Sequence, residues 1–465
     1  MGPHRGAQVT GLEAVKAALR TAGVAFDERL ESRERNGRDE SDQGTYLPDM
    51  VVFAEKTEDV QAVLRACQRH HVPVTPVGAR TGKSGGSLPV RGGVSLSLER
   101  MNRILAVRPD DLLAVAQPGV VLGELRRAVE AHGLMYAPDP NSWESCTLGG
   151  TVAENAGGPR ALKYGVTRDH VLALEWVLPS GDVVRLGHQT AKGVAGYDLV
   201  GLMVGSEGTL GIATEITVRL VPSPRHVRTA LISFRTVGDA ATASGKVLTS
   251  GLWPRALELL DDVALAAVDG KGFTFPAGAG ACLLLEVDGS TDDGVLAELA
   301  QCGEVCTQAG ALDVLVANDA AQRERLWAVR RQVSPALRAL KGFKFSEDIV
   351  VPRSRMPEAI ARFKAIGQAL GLTVATYGHA GDGNLHTNVL YAGPAERPRV
   401  EEALERIMRA TLELEGTITG EHGVGLAKRR FLPLEQAPAL IALQRRLKVF
   451  FDPEVILNPG KIFED

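Results

Sequence analysis

The sequence predicts an α+β protein with more than one domain. Its 465 residues exceed what one ordinary hydrophobic core holds, so two or three domains are expected. Patterns typical of strands and helices alternate along the first hundred residues, which favours a small α+β unit. The segment Pro222-Ser223-Pro224 has the composition of a linker, and an apolar strand pattern restarts at 231–234. These observations indicate a second domain after the linker.

The elements of the first half are predicted from hydrophobic periodicity and from the residues that flank each pattern. Gly23 ends a helix with one apolar face, and Thr57 begins another helix whose first turn is acidic. The predicted helices cover 12–23, 57–70 and 122–132. The predicted strands cover 50–54, 72–77, 94–98, 112–117, 172–179 and 213–221. The polar stretch 32–44 is predicted to be a surface loop.

Composition and charge exclude several classes of protein. The chain has 52 Lys and Arg against 56 Asp and Glu, a formal net charge of -4, which argues against general binding to nucleic acids. Its five cysteines are scattered and odd in number, which favours a reducing compartment over a disulfide framework. No apolar run reaches the roughly 18 residues of a membrane span, and the first residues lack the apolar core of a signal peptide. A cytoplasmic protein is expected, at most peripheral to the inner face of a membrane.

Four glycine-rich segments lie between the strands of the first half. They cover residues 78–86, 147–158, 163–171 and 196–212. Successive glycines let backbone N–H groups approach an anion, so these loops favour a long ligand with two phosphates and flat rings. Gly82-Lys83-Ser84 matches the end of the phosphate loop of nucleotide triphosphatases, but only three residues separate Gly78 from Gly82, where that motif needs four. A G-x-G-x-x-G dinucleotide motif is not found after the first strand, which disfavours a Rossmann fold.

A glycine-rich turn separates two histidines in the stretch Tyr377-Gly378-His379-Ala380-Gly381-Asp382-Gly383-Asn384-Leu385-His386-Thr387-Asn388. Apolar residues on both sides predict a strand, a turn and a second strand, which would aim both imidazoles into one cavity. Neutral imidazole is a common ligand of zinc-like ions, and two ligands leave a site incomplete. Glu421-His422, between glycines, could supply a third ligand and a base. A metal site is therefore predicted, with a purely structural histidine pair as the alternative.

These segments together resemble a known family. The loops at 78–86, 138–158 and 196–212 are followed in order by Ser346-Glu347-Asp348-Ile349-Val350-Val351-Pro352, the histidine turn, Gly420-Glu421-His422-Gly423 and the ending 452–461. The set resembles the FAD-binding proteins of the vanillyl-alcohol oxidase superfamily. Within it the chain is similar to the D-2-hydroxyacid dehydrogenase group, which includes D-lactate dehydrogenases, D-2-hydroxyglutarate dehydrogenases and the FAD-linked glycolate oxidase subunit. The resemblance runs from about residue 45 to the C-terminus.

The resemblance implies three regions. Residues 1–222 would form an FAD-binding domain of two α+β subdomains, 223–420 a substrate-binding cap on an antiparallel sheet, and 421–465 a segment that returns to the FAD site. Helical patterns at 237–249, 321–340 and 356–370, with a hairpin at 376–391, suit the cap.

The implied cofactor is FAD, held without a covalent bond, because His70 and His71 lie on a predicted helix outside the loops. The backbone of residues 78–84 is expected to cradle the pyrophosphate, and other loop residues to line the flavin and its ribityl chain. The expected FAD-binding residues are Pro76, Gly78, Ala79, Arg80, Thr81, Gly82, Ser84, Pro138, Asp139, Thr147, Gly150, Asn155, Gly158, Ile212 and Asn458.

The implied activity is oxidation of a D-2-hydroxy acid to a 2-oxo acid, with a hydride or its equivalent passing to flavin N5. By the resemblance, His379, His386 and Glu421 bind a divalent metal, expected to be Zn²⁺, which takes the hydroxyl and carboxylate oxygens of the substrate. His422 is the candidate base for the hydroxyl proton. The expected substrate-binding residues are Arg330, as a guanidinium fork for the carboxylate, with Ser334, Lys344 and Asn388.

Several alternatives stay open at this point. The sequence does not choose between lactate, glycolate, 2-hydroxyglutarate and an aromatic hydroxy acid as substrate. Quinone, cytochrome, electron-transfer flavoprotein and O₂ all suit as electron acceptor. A homodimer and a complex with partner subunits, as in a multi-subunit glycolate oxidase, are both compatible with the sequence. The rival hypotheses are a metal-dependent hydrolase using His379, His386 and Glu421, which leaves the glycine-rich loops unexplained, and a non-catalytic FAD-binding subunit, which would not need His422 or the metal ligands.

Overall fold

The computed structural model describes residues 3–271 and 273–464. Contacts between residues divide the chain into two compact units. The first contains the described residues up to Ala156, then Val166–Ser223, and those from Glu421 onward. The second contains Gly157–Gly165 and Pro224–Gly420. Both units are therefore built from segments that are discontinuous in the sequence.

The strands alternate with helices along much of the chain. In chain order they are β1 Phe26–Asp27, β2 Met50–Phe53, β3 Val74–Val77, β4 Val94–Ser97, β5 Ile104–Arg108, β6 Leu113–Ala116, β7 Leu134–Met135, β8 Val171–Val177, β9 Val183–Gly187, β10 Ile212–Arg219, β11 Val221–Pro222, β12 His226–Phe234, β13 Ala256–Leu260, β14 Ala281–Gly289, β15 Ala311–Val316, β16 Phe343–Val350, β17 Thr373–His379 and β18 Asn384–Tyr391. The predicted strands of the first half agree with these to within one or two residues at most ends.

The helices range from single turns to 22 residues. In chain order they are α1 Pro3–Thr21, α2 Leu30–Arg35, α3 Thr57–His70, α4 Leu122–Glu130, α5 Leu148–Glu154, α6 Ala161–Tyr164, α7 Thr167–His170, α8 Leu199–Met203, α9 Val237–Thr249, α10 Asp262–Val268, α11 Asp292–Gln308, α12 Ala320–Lys341, α13 Met356–Ala369, α14 Arg397–Glu413, α15 Leu432–Glu435 and α16 Pro438–Phe451. Short 3-10 turns cover Pro109–Asp111, Arg353–Arg355, Pro394–Glu396 and Arg429–Phe431. The bounds predicted for α3 and α9 match the structure.

The first unit is built on two main sheets. One has the strand order β1-β2-β4-β3, in which β2, β4 and β3 are parallel, because α3 carries the chain from β2 to β3 as a crossover. Its core joins α1 and α3 to the sheet through residues such as Leu19, Leu64 and Leu96. The other sheet is antiparallel, with the order β5-β6-β10-β8-β9, and β7 pairs with β11 beside it. The loops that leave these strands are the glycine-rich segments.

The second unit is built on one antiparallel sheet of seven strands. The order is β15-β12-β14-β13-β17-β18-β16, so the hairpin of β17 and β18 lies between β13 and β16. Apolar residues of α10 and α12, including Leu265 and Val333, pack against Leu284 and Tyr377 of the sheet. The two units together confirm the predicted α+β class.

Three features differ from the prediction. The polar stretch 32–44 overlaps α2, and the glycine-rich run at 147–158 contains α5, which Thr147 caps through its side chain. Residues 157–165 group with the second unit, although the sequence placed them in the first domain. The reason is a buried anchor: Lys163 and Tyr164 both donate to the side chain of Asp288 on β14, at 2.5 and 2.8 Å.

Across the part of the chain that the structure describes, no helix combines the length and the apolar composition needed to cross a lipid bilayer.

Candidate functional site

The first unit contains a cavity of about 410 Å³ walled by the glycine-rich loops. One wall is the loop that leaves the carboxyl end of β3, and the opposite walls come from the segment around α5 and from the start of β10. Glu421, His422 and Asn458 complete the lining from the last segment of the chain. The cavity therefore gathers residues from Glu40 to Asn458, which lie far apart in the sequence.

The loop after β3 forms an anion cradle. Among the described residues, the backbone N–H groups of Ala79, Arg80, Thr81 and Gly82 donate to no protein acceptor, while their residues line the cavity. A Cβ at Gly78 would lie 2.5 Å from Thr147 Oγ1, so only glycine lets the loop approach that wall. Exposed N–H groups in a glycine-rich loop suit a pyrophosphate, and the observed cradle therefore fits FAD.

The Arg80 side chain stabilises this cradle through contacts with the protein. Its φ is 63°, in the left-handed region, and its guanidinium donates to Glu99 Oε1 at 2.9 Å and to Asn36 Oδ1 at 3.3 Å. The ion pair turns the charged end of Arg80 toward the protein, so its expected contribution to cofactor binding comes through the backbone.

Ten of the fifteen expected FAD-binding residues line the cavity. They are Pro76, Gly78, Ala79, Arg80, Thr81, Gly82, Thr147, Gly150, Ile212 and Asn458. The other five lie off its wall: Ser84, Pro138, Asp139, Asn155 and Gly158. Ser84 and Asn155 contact other segments of the first unit instead. The Ser84 carbonyl accepts from Leu426 N at 2.8 Å, and Asn155 ends α5 and accepts from Arg168 N at 2.8 Å.

Two acids in the cavity wall were not predicted, the half-buried Glu154 and the buried Glu207. Glu154 and Glu207 lie on either side of Gly423, where a Cβ would be 2.3 Å from Glu154 Oε2 and 3.0 Å from Glu207 Oε1. Glu207 accepts from Val424 N and Gly425 N, both at 2.7 Å. The turn that follows Glu421-His422 is therefore fixed against this pair. A carboxylate inside an otherwise apolar glycine-rich run was the available signal for both.

The charges around this pair shift its protonation. Burial raises the pKa of Glu154 well above the ordinary range, and the carboxylates of Glu207 and Asp39 raise it further. Burial also raises the pKa of Glu207, although the two backbone N–H groups oppose the shift. Burial lowers the pKa of Lys461 to about 8. The pair therefore retains a proton to a higher pH than an ordinary carboxyl group.

The C-terminal segment is bound to the glycine-rich loops by backbone and side-chain hydrogen bonds. Asn458 Nδ2 donates to the carbonyls of Gly86 and Glu207 at 3.0 and 2.7 Å, and its backbone N–H donates to the Val74 carbonyl at 2.7 Å. Lys461 Nζ donates to the Leu88 carbonyl at 2.6 Å. These contacts hold the first residue of β3 and the far end of the loop that follows β3 in place.

In the second unit, the hairpin of β17 and β18 brings the two predicted histidines together. The ring centroids of His379 and His386 are 5.2 Å apart, and their ligand atoms lie within 4.8 Å of each other. Both side chains are buried. Gly383, with φ of 81°, closes the turn between them, and a Cβ there would lie 2.1 Å from the Val351 carbonyl oxygen. The donor chemistry of paired imidazoles fits a zinc-like ion.

A carboxylate lies near Nδ1 of each histidine. Glu258, on β13, lies 2.6 Å from His379 Nδ1, and Asp348, on β16, lies 3.9 Å from His386 Nδ1. Asp348 also accepts from Asn384 Nδ2 at 2.6 Å and from Gly420 N at 2.8 Å. Burial alone would raise the pKa of Glu258, but His379 and Arg330 together hold it below its ordinary value.

The predicted substrate-binding residues lie on the same sheet and on α12. Lys344 Nζ donates to Ser334 Oγ at 2.9 Å and to Asn388 Oδ1 at 2.8 Å, and Asn388 Nδ2 donates to the His386 carbonyl at 2.9 Å. The structure thus brings three of the four together. Arg330 instead pairs with Glu258, with its guanidinium 4.7 Å from the centroid of the Tyr377 ring.

Comparison with known proteins agrees with both halves of this description. The chain matches the FAD binding domain over residues 48–187 and the C-terminal domain of FAD linked oxidases over residues 223–462. It is 40% identical to the glycolate oxidase subunit GlcD of Bacillus subtilis, covering 94% of each chain. It is 38% identical to the D-lactate dehydrogenase of Anaerostipes hadrus, covering 90% of each chain.

A solved structure shows the same fold at lower sequence similarity. The structure of p-cresol methylhydroxylase with substrate bound matches with a TM-score of 0.81 at 18% identity, covering 99% of this chain and 97% of that one. The match supports the predicted vanillyl-alcohol oxidase type of fold. The chain therefore has a fold of the vanillyl-alcohol oxidase type and belongs to the FAD-linked oxidases, in the D-2-hydroxyacid dehydrogenase group.

Proposed function

We propose that this enzyme oxidises a small D-2-hydroxy acid to the corresponding 2-oxo acid and passes two electrons to non-covalently bound FAD. The observation that carries the proposal is the buried pair His379 and His386, beside the linked cluster of Lys344, Ser334 and Asn388. Paired imidazoles and a neighbouring ammonium group suit a ligand with a hydroxyl and a carboxylate. Two relatives, a glycolate oxidase subunit and a D-lactate dehydrogenase, support the same substrate class.

The cavity of the first unit is the proposed FAD site. Bound FAD would supply the two-electron acceptor for the reaction. The N–H groups of residues 79–82 would hold its pyrophosphate, and Thr147, Gly150 and Ile212 would lie along the wall for its flat part. These contacts would also exclude water from the bound flavin.

We further propose that His379, His386 and Glu421 bind a divalent metal ion, with Zn²⁺ as the expected ion. Glu421 directly follows Gly420, whose N–H binds Asp348 behind His386. Chain connectivity therefore supports Glu421 as the third ligand. A bound ion would act as a Lewis acid toward the hydroxyl and carboxylate oxygens of the substrate.

His422 is the proposed base. It lines the cavity next to Glu421, with its Nε2 3.9 Å from Glu421 Oε1. An imidazole at this position would take the hydroxyl proton of the substrate as the α-carbon is oxidised. Lys344 would bind the carboxylate of the substrate, and the Nη1 edge of Arg330, opposite its pairing with Glu258, would add a second donor.

The same chemistry could take place in a larger assembly. One relative is named as a subunit of glycolate oxidase, which favours partner subunits as a second form of the proposal. The hydrolase alternative has no use for the FAD-binding domain found at residues 48–187.

The test is anaerobic reduction of the purified, flavin-loaded protein. D-lactate, glycolate and D-2-hydroxyglutarate are added in turn, and loss of the oxidised flavin absorbance is followed, with L-lactate as the control. We expect bleaching by at least one of the first three acids and at least tenfold slower bleaching by L-lactate. A chelator should slow bleaching without releasing the flavin. A colourless protein that takes up no added FAD would contradict the proposal.

A further inference from the structure

Glu258 joins two predicted functional side chains through its two oxygens. It lies on β13, its side chain is 0% exposed, and its Cα is paired in register with that of His379 on β17. Oε1 lies 2.6 Å from His379 Nδ1, and Oε2 accepts from Arg330 Nε at 2.7 Å, with Nη2 also at 2.7 Å. One carboxylate therefore contacts one proposed metal ligand and one proposed substrate ligand.

The contact with His379 determines the chemistry of that ring. A carboxylate only accepts hydrogen bonds, so the nitrogen at 2.6 Å must donate, and the proton lies on Nδ1. Nε2 is then the nitrogen that carries a lone pair. In metal sites, a carboxylate bonded to the remote nitrogen of a histidine orients the ring and strengthens the ligand.

The contact with Arg330 determines which edge of the guanidinium is used. Glu258 takes the edge formed by Nε and Nη2, and the Tyr377 ring lies against the guanidinium at 4.7 Å. Nη1 of the guanidinium does not contact Glu258 and can donate to another acceptor, such as a substrate carboxylate. Two contacts of this kind restrict the long side chain to one orientation, which reduces the entropy lost when a carboxylate binds.

We propose that Glu258 is a positioning residue that holds His379 in the tautomer required for a metal ligand and, through the same carboxylate, sets the orientation of Arg330. This inference rests on the proposed function for the identity of the metal and substrate sites. Because one group serves both, its removal weakens metal binding and substrate binding together. Asp348 has a different role, since it contacts His386 at 3.9 Å and is held by Asn384 and Gly420.

Glu286 provides a matched control on the neighbouring strand β14. It is also a buried carboxylate, and it accepts from Thr229 Oγ1 and Trp327 Nε1, each at 2.8 Å. Its Oε1 also lies 3.3 Å from Arg255 Nε, and none of these three partners is a proposed ligand of metal or substrate. Glu286→Gln thus tests the general cost of removing a buried charge from this sheet.

The experiment compares Glu258→Gln with Glu286→Gln in flavin-loaded protein. The affinity for Zn²⁺ is measured by competition with a chromophoric chelator, and KM for the best substrate is measured with a dye acceptor. We expect Glu258→Gln to bind Zn²⁺ about 10–100-fold more weakly and to show a raised KM, and Glu286→Gln to stay near the wild type in both. A folded Glu258→Gln protein with wild-type Zn²⁺ affinity would overturn the proposal.

A measurement on the wild-type sequence covers the case in which Glu258→Gln does not fold. In metal-free protein labelled with ¹⁵N-histidine, the His379 signals are assigned by their loss in His379→Gln. We expect the proton on Nδ1, and a proton on Nε2 would overturn the proposal. This readout does not depend on turnover, so it distinguishes failure of the positioning role from failure of the proposed oxidation.

Discussion

At the scale of single residues, His422 is the side chain whose loss should affect turnover most directly. It lines the cavity of the first unit beside Glu421. His422→Gln should lower kcat about 100-fold or more, because general base catalysis contributes at least that factor in many enzymes. The rate of flavin reduction under single-turnover conditions is the measurement, with retained flavin absorbance showing that the cofactor site is intact.

His188→Gln is a suitable control for this prediction. His188 is exposed on the segment after β9, and it does not line the cavity. The His188→Gln substitution should leave the rate of flavin reduction unchanged. Full turnover of His422→Gln would remove His422 from the mechanism while leaving the assignment of the flavin site untouched.

Glu154 should make stability depend on pH. Its pKa is raised in the folded state by burial and then by Glu207, so the folded protein keeps a proton that the unfolded chain releases. Stability then falls as the pH rises from the ordinary carboxyl value, about 4.3, toward the raised value. Glu154→Gln lacks this titration, so its melting temperature relative to the wild type should increase across that window.

The measurement is thermal unfolding at saturating FAD from pH 4.5 to 8. The exposed Glu144 offers the control, since Glu144→Gln should run parallel to the wild type at every pH. A constant difference between Glu154→Gln and the wild type would mean that Glu154 is ionised throughout in the folded protein.

The site residues that could be identified from the sequence are close together along the chain, and those that were missed have distant partners. His379 and His386 stand seven residues apart, so a local hairpin is enough to bring them together. Glu258 is 121 residues before His379, and only the pairing of β13 with β17 makes them neighbours. Its single signal was a carboxylate inside the apolar strand Ala256–Leu260. Such a residue indicates a buried partner without identifying it.

At the scale of elements, the turn between β17 and β18 should be sensitive to a single methyl group. Gly383 has a left-handed φ of 81°, and a Cβ there would meet the Val351 carbonyl oxygen at 2.1 Å. Gly383→Ala should therefore lower the free energy of unfolding by roughly 1–3 kcal/mol. It should also weaken Zn²⁺ binding at the proposed metal site, because the two histidines flank this turn.

Gly393→Ala is the matched substitution for this turn. Gly393 lies just after β18 with an extended φ of 176°, and a Cβ there would have no atom within 4 Å. Its effect on the unfolding free energy should stay within about 0.5 kcal/mol. Chemical denaturation and metal analysis of the two proteins give the comparison, and equal behaviour would show that the turn tolerates a side chain.

Elements with strong local signals were predictable, and those defined by their surroundings were not. Helix α3 begins at Thr57 with acidic residues in its first turn and has one apolar face, so its bounds could be predicted. Helix α5 lies within a glycine-rich run, where local propensity favours a loop. It forms because its first N–H groups are bound by Val120, Pro118 and Thr147. Tertiary contacts therefore determine that this segment is helical.

At the scale of the whole molecule, the order of the family motifs predicted the fold class and the cofactor. The same resemblance implied that residues 421–465 return to the first domain, but the grouping of residues 157–165 with the second unit had no signal in the sequence. Residues 157–165 belong to the second unit because Lys163 and Tyr164 reach Asp288, 124 residues or more along the chain. Their sequence looks like the glycine-rich loops on either side. Anchors of this range depend on strand order, which periodicity does not contain.

The last prediction concerns the C-terminal segment, which contacts loops of the first unit that are distant in the sequence. Asn458 donates to the carbonyls of Gly86 and Glu207, which are otherwise far apart in the sequence. Asn458→Ala would leave both carbonyls without this donor, at a cost of about 1–3 kcal/mol. Because both carbonyls belong to loops that wall the cavity, FAD affinity should fall about tenfold. Equilibrium dialysis with FAD is the measurement. Glu454→Gln is the control, since Glu454 pairs with His71 on the surface, a contact that contributes about 0–1 kcal/mol. Equal FAD affinity in both variants would mean that the segment covers the cofactor loops without shaping them.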